Sequence, residues 1–257
     1  MDKETPCFEA LKEEFQSTVI EELLPGILHN FANPLNGIMG RSKLLQKRAG
    51  EALGTTEYGT SDPTAEAREK ILRDVDLIAE QGDRLYELFS EVAGKIHRLH
   101  DRRMCPINLS ELLAAELTFF DFYLDYKHSI EKTVNLNMDN PTVMGTPADF
   151  SLALSSLLRY SMNAMRDCPV RILSVFSDYD ASEVSVVISD SGVHEETIEQ
   201  VLDLPNINQN REKPQPDREC LDPRSALDLL SKYDARCSFE SNGGINKITL
   251  SVPHGSR

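Results

Sequence analysis

The chain has 257 residues, 40% hydrophobic and 27% charged, with a formal net charge of −15. That is globular composition, and the acidic balance excludes a phosphate-backbone partner and disfavours anionic membrane, both of which require basic surface. No run of eighteen apolar residues occurs, the first twenty residues are too charged for a signal peptide, and the five scattered cysteines form no C-x-x-C pair, so a cytoplasmic protein with reduced thiols is expected, binding neither nucleic acid nor membrane.

From about residue 10 to 103 the pattern is helical with one break. In the first segment Ile20, Leu24, Ile27, Phe31, Pro34, Ile38 and Leu45 step by threes, fours and one heptad. In the second, Ile71, Val75, Ile78, Gly82, Leu85, Phe89, Val92, Ile96 and Leu99 alternate four and three, the seam of a coiled coil or four-helix bundle. The break, GTTEYGTSDPT, is turn chemistry with Asp62 or Thr64 as a helix cap. Two helices alone bury little, so the hairpin is expected to pair with a second copy into a four-helix bundle. The first domain is thus residues 1–105.

After Pro106 the texture changes. NLSELLAAELTFFDFYL predicts an amphipathic helix capped by Asn108 or Ser110, HSIEKTVNLN a strand, and ADFSLALSSLLRYSMNAMRD another helix. VRILSVFSD and SEVSVVISD predict a hairpin, SALDLLSKY a helix, and CSFESNGGINKITLSVP a second hairpin turning at Asn242-Gly243-Gly244. Helices beside an antiparallel or mixed sheet predict an α/β sandwich over residues 106–257.

The stretch ILHNFANPLNGIMG places His29 two residues from Ile27 and two from Phe31, both seam positions. Residues two apart on a helix differ by about 200°, so His29 points away from the core, with Asn33 and Asn36 along the same outward stripe. Pro34 removes one backbone donor there, and Gly37 and Gly40 thin the side chains beyond. A neutral imidazole is a competent nucleophile towards phosphorus, and Asn33 could orient it or a water. A lone exposed histidine is otherwise a solvated surface residue.

HNFANPLNGIMG resembles the phosphoacceptor box of two-component sensor histidine kinases. INLSELLAAEL resembles the entry to their GHKL-type ATP-binding domain, SSLLRYSMNAMRD the N-box, and VVISDSG the strand ending in Asp-x-Gly; the resemblance runs from about residue 10 to 253. It implies that His29 is phosphorylated, that Asn163 is a magnesium ligand, that Asp190 accepts the adenine amino group of ATP, and that Gly192 lets the base approach. It also implies a response-regulator receiver domain as partner and a homodimer. Read without the family, Asn163 is an ordinary helix asparagine and Asp190 a turn residue.

Departures bear on the chemistry. Asn30 stands where the family has an acidic general base after the histidine, Arg159 replaces the first N-box asparagine, and His194 replaces the second glycine of Asp-x-Gly-x-Gly. No glycine occurs between Gly192 and Gly243, whereas a triphosphate is cradled by glycine-rich backbone. Asp222 puts negative charge where phosphates would sit; Arg211, Lys213, Arg218 or Arg224 could offset it without restoring the cradle. The leading expectation is a degenerate kinase-like histidine phosphotransfer protein exchanging a phosphoryl group between His29 and a receiver aspartate, with ATP and magnesium use in doubt. The alternatives are a divergent ATP-dependent histidine kinase and a non-catalytic scaffold that sequesters a response regulator.

Overall fold

The computed structural model describes residues 6–54, 65–194 and 223–255. The loop cap at Asp62 or Thr64, and Arg211, Lys213, Arg218 and Asp222, lie outside the described residues. The expected architecture is observed: a helical hairpin followed by helices layered on a mixed sheet. The chain divides into two compact units, residues 22–94, and residues 1–21 together with 95–257.

The first unit is built from α2 (Leu24–Gly54) and most of α3 (Ala65–His100). Helix α2 runs unbroken through Pro34, which has no N–H to donate to the carbonyl of Asn30 one turn back. The rings of Phe31 and Phe89 stack across the hairpin with centroids 6.0 Å apart. Below them Asp74, buried, accepts from Arg48 and, at 3.4 Å, from Arg41. The heptad of α3 divides: Ile71, Ile78, Leu85 and Val92 are half-buried, whereas Val75 and Phe89 are exposed. Hydrophobicity places Val75 at the inner seam; the structure gives the adjoining inner position to Asp74, whose charge the two arginines offset. On α2 the buried positions are Gly26, Asn30 and Pro34, with Leu23 buried just before the helix, and Leu24, read as a seam residue, is exposed.

In the second unit, β1 (Cys105–Ile107) pairs with β3 (Val143–Gly145) as a small antiparallel ribbon. The main sheet has the order β2-β4-β5-β7-β6, from β2 (Glu131–Leu136), β4 (Ile172–Tyr179), β5 (Glu183–Asp190), β6 (Arg236–Asn242) and β7 (Ile245–Pro253). Among the described residues only the β2–β4 pair is parallel. The β6–β7 turn occurs at the predicted glycines: Gly243 and Gly244 have φ of 61° and 81°, a conformation that excludes most side chains.

Strict alternation in β5 and β7 puts Val184, Val186, Ile188, Ile248, Leu250 and Val252 on one face. That face packs under α4 (Leu109–Phe120) and α6 (Pro147–Ala164), which bury Leu113, Leu117, Leu154, Leu157 and Leu158. Each such side chain contributes about 1.5–3 kcal/mol through burial. Asn108 caps α4, its side chain accepting from the N–H groups of Ser110 and Glu111 at 2.9 and 3.1 Å. A short helix α5 (Leu124–Ser129) leads into β2, and α7 (Arg224–Ser231) precedes β6.

Residues 1–21 and 95–105, which the sequence reading groups with the hairpin, cluster with the α/β unit. The cause is a stripe on α1 (Pro6–Thr18), where Phe8, Leu11 and Phe15 recur at helical spacing and α1 packs against α6 and α7. The end of α3 joins the same unit through Lys95, fully buried, which donates to Glu116 and lies 2.9 and 2.6 Å from the hydroxyls of Ser151 and Ser155. Both hydroxyls donate to Glu116 at 2.7 Å, and the Phe15 ring lies 4.9 Å from Lys95 Nζ. The two buried charges are thus hydrogen-bonded together, the condition under which burial of charge is tolerated.

Candidate functional site

Two places hold the sequence-predicted residues, one in each unit. On α2, His29, Asn33 and Asn36 are all exposed. A second exposed stripe, apolar, runs along the same helix through Leu24, Leu28, Leu35 and Met39. His29 follows Leu24 by five residues, about 140° further round, so the polar stripe lies between the apolar stripe and the buried seam. Asn30, adjoining His29 in sequence, is buried and turns away from that stripe. An amide does not take up a proton at neutral pH, and the buried Asn30 side chain leaves the helix about 100° round from His29, so Asn30 fills no general-base role at the imidazole. Beyond the histidine, a Cβ on Gly40 would meet nothing within 4 Å, whereas one on Gly37 would come within 3.1 Å of Gln81 Cγ. Gly37 therefore serves the hairpin packing, and Gly40 leaves the surface thin.

In the second unit the geometry is closed. Asp190 ends β5, and its carboxylate, with no exposed surface, accepts from the Gly192 N–H at 2.9 Å and from Asn246 Nδ2 at 3.0 Å. Asn246 faces it across the β5–β7 register and also donates to the Gly192 carbonyl at 2.8 Å. His194 Nε2 supplies the remaining donor, 3.0 and 3.2 Å from the two carboxylate oxygens. Burial opposes ionisation of Asp190, but the hydrogen bonds from His194, Asn246 and Gly192 and the neighbouring imidazole outweigh it and hold the carboxyl below its ordinary value. The His194 ring lies against Tyr160 of α6, centroids 4.7 Å apart.

Gly192 is glycine because α6 presses on it: a Cβ there would lie 2.6 Å from the Ala164 carbonyl carbon. Val193 N–H donates to the Ala164 carbonyl at 2.9 Å, which pins the turn after β5 to the end of α6. Asn163, half-buried in that last turn, is joined by no cluster of three or more carboxylate, histidine or cysteine side chains among the described residues. Magnesium normally takes one or two carboxylates together with phosphate oxygens, so Asn163 alone does not make a cation site. Arg159, one turn earlier and buried, is held at 2.8 Å by Glu14 of α1. As they stand, these residues do not fit an adenine nucleotide: Asp190 has no exposed oxygen and Tyr160 already carries a ring. The structure thus brings Asn163, Asp190 and Gly192 to one end of α6 and joins to Asp190 a group the sequence offers only as a departure, His194, whereas Arg159, the other departure on α6, pairs with Glu14 of α1.

No protein-family model matches the sequence, and no curated protein does. Similar folds occur among solved structures. One is the histidine kinase AdeS of Acinetobacter baumannii, at 14% identity and a TM-score of 0.44, covering 83% of this chain and 94% of that one. Another is a bacterial phosphotransferase, at 14% identity and 0.42, covering 97% and 98%. A third is the histidine kinase ThkA in complex with the response regulator protein TrrA, at 15% identity and 0.46, covering 98% and 68%. Among the described residues no helix is long and apolar enough to cross a membrane.

Proposed function

We propose that the chain is a dimeric phosphotransfer protein of two-component signalling, in which His29 exchanges a phosphoryl group with a receiver aspartate. The observation that carries this reading is the placement of His29 and Asn33 on an exposed polar stripe of α2, apart from both the buried seam and the apolar stripe. One ring nitrogen of His29 attacks the phosphorus of the receiver's aspartyl phosphate. The N–P bond forms as the P–O bond breaks, the aspartate leaves as a carboxylate, and the proton on the other ring nitrogen passes to solvent. The reverse sequence hands the group to another receiver. Asn33, one turn along, is placed to orient the imidazole or a phosphoryl oxygen. No step asks this chain for a metal, since the magnesium and acidic pocket belong to the receiver.

The second copy is supported by the apolar stripes that each hairpin leaves uncovered: Leu24, Leu28, Leu35 and Met39 on α2, and Leu72, Val75, Tyr86 and Phe89 on α3. Apolar surface repeated at heptad spacing along both helices is what a four-helix bundle covers. Pairing there leaves the His29 stripe open.

An ATP-dependent kinase acting on the same histidine is the second reading, favoured by the gathering of Asn163, Asp190 and Gly192 at one end of α6. The internal donors on Asp190 weigh against it. The test is to incubate the parent and His29→Ala with receiver domains phosphorylated by a small acyl phosphate and to read intact mass under conditions that spare phosphohistidine. A phosphate-sized gain in the parent only is expected; no gain from any receiver rejects the reading.

A further inference from the structure

We propose that His194 is a built-in surrogate ligand: its imidazole occupies the place beside Asp190 that a nitrogen heterocycle with an N–H donor would take, and so closes the α/β unit to adenine nucleotides. Three observations carry this. The imidazole presents the two features such a base would present, an N–H on the carboxylate at 3.0 Å and a ring against Tyr160, centroids 4.7 Å apart and planes tilted by 33°. Among the described residues the carboxylate is otherwise satisfied only by fixed parts of the fold, the Gly192 N–H and the amide of Asn246, which the β5–β7 register holds in place. Finally, the His194 side chain is itself almost wholly buried, 7% exposed, so it is packed into the unit and does not lie loosely over an open cleft.

The charge one turn back on α6 is spoken for in the same way. Arg159 is the cation nearest Tyr160 in sequence, and the Glu14 carboxylate of α1 pairs with it at 2.8 Å. A carboxylate on a guanidinium occupies the geometry that a phosphate oxygen would use. Asp190 thus has a resident donor in His194, and Arg159 a resident acceptor in Glu14. The interactions remain part of the fold: with no base to bind, Asp190 needs a resident donor, because a buried carboxylate left short of hydrogen bonds is strongly unfavourable.

The full chain and its His194→Gly variant would be compared by thermal unfolding and calorimetric titration, with Mg-ADP and imidazole as probes. The parent is expected to show no saturable response to either. His194→Gly should unfold at a lower temperature and regain part of the loss with imidazole, saturating in the millimolar range, and Asp190→Asn in the His194→Gly background should abolish that rescue. Saturable Mg-ADP binding by the parent, or failure of imidazole to stabilise His194→Gly selectively, would overturn the proposal. Should His194→Gly not fold, the parent labelled at histidine nitrogen provides the measurement. A protected Nε2–H resonance that persists in excess Mg-ADP is expected, and its loss on adding Mg-ADP would overturn the proposal equally.

Discussion

His194 Nε2 lies 3.0 Å from one carboxylate oxygen of Asp190 and 3.2 Å from the other, across a turn of only four residues. This contact turns the strand-end aspartate from a ligand-reading group into a structural acceptor. It satisfies the buried carboxylate from within the α/β unit, which is why the proposed chemistry is assigned to the exposed His29 of the hairpin.

Acid sensitivity follows from that acceptor. Asp190 has its folded value below the ordinary 3.8, so its stabilisation is fully present above the unfolded value and is lost as pH falls through the folded one. Urea unfolding from pH 5 down to about pH 2 should show the parent losing stability below about pH 4. Asp190→Asn, less stable at pH 5, should lose less over that window, so that the two curves converge. A constant difference would show that Asp190 titrates alike in both states.

Gly192→Ala should lower stability by about 1–3 kcal/mol, the usual cost of overpacking. The added Cβ meets Ala164 backbone, which cannot turn aside as a flexible side chain would. Denaturant unfolding measures this directly; a shift within error would mean that the β5–α6 contact yields freely.

Glu116→Ala leaves Lys95 buried without its carboxylate and should cost about 3–5 kcal/mol. Replacing both by hydrophobes, Lys95→Met with Glu116→Leu, should recover most of the loss. If the double variant is as unstable as the single one, the penalty comes from lost packing and not from an unpaired charge.

Leu72→Glu with Tyr86→Glu places four like charges in a paired bundle but leaves each hairpin's own seam untouched. Light scattering should give a dimer for the parent and a monomer of unchanged helicity for the variant. A monomeric parent would contradict the bundle assignment.

Much of the fold was legible where a period or a cap has a physical cause. Alternation in Val184–Ile188 and Ile248–Val252 marked strands, the Gly243-Gly244 pair marked a turn requiring positive φ, and Asn108 or Ser110 marked a helix start, of which the structure selects Asn108. The strands β1 and β3, three residues each, are too short to show any period. Asp74 and Lys95 were not identifiable as buried, because hydropathy assigns charged side chains to solvent and their partners are distant in sequence. The role of α1 escaped for a related reason: Phe8, Leu11 and Phe15 announce an apolar stripe, but not whether the hairpin or the sandwich covers it. At the candidate site, the outward direction of His29 followed from its offset against Ile27 and Phe31. The pairing of His194 with Asp190 did not, since four-residue spacing outside a helix corresponds to no motif.

The most direct test offers the purified chain and its His29→Ala variant two phosphoryl sources in parallel, Mg-ATP alone and phosphorylated receiver domains, and reads intact mass under conditions that spare phosphohistidine. A phosphate-sized gain on the parent from a receiver, none from Mg-ATP, and none on His29→Ala is the predicted result. Labelling of His29 by Mg-ATP alone would contradict it and make the protein a working kinase.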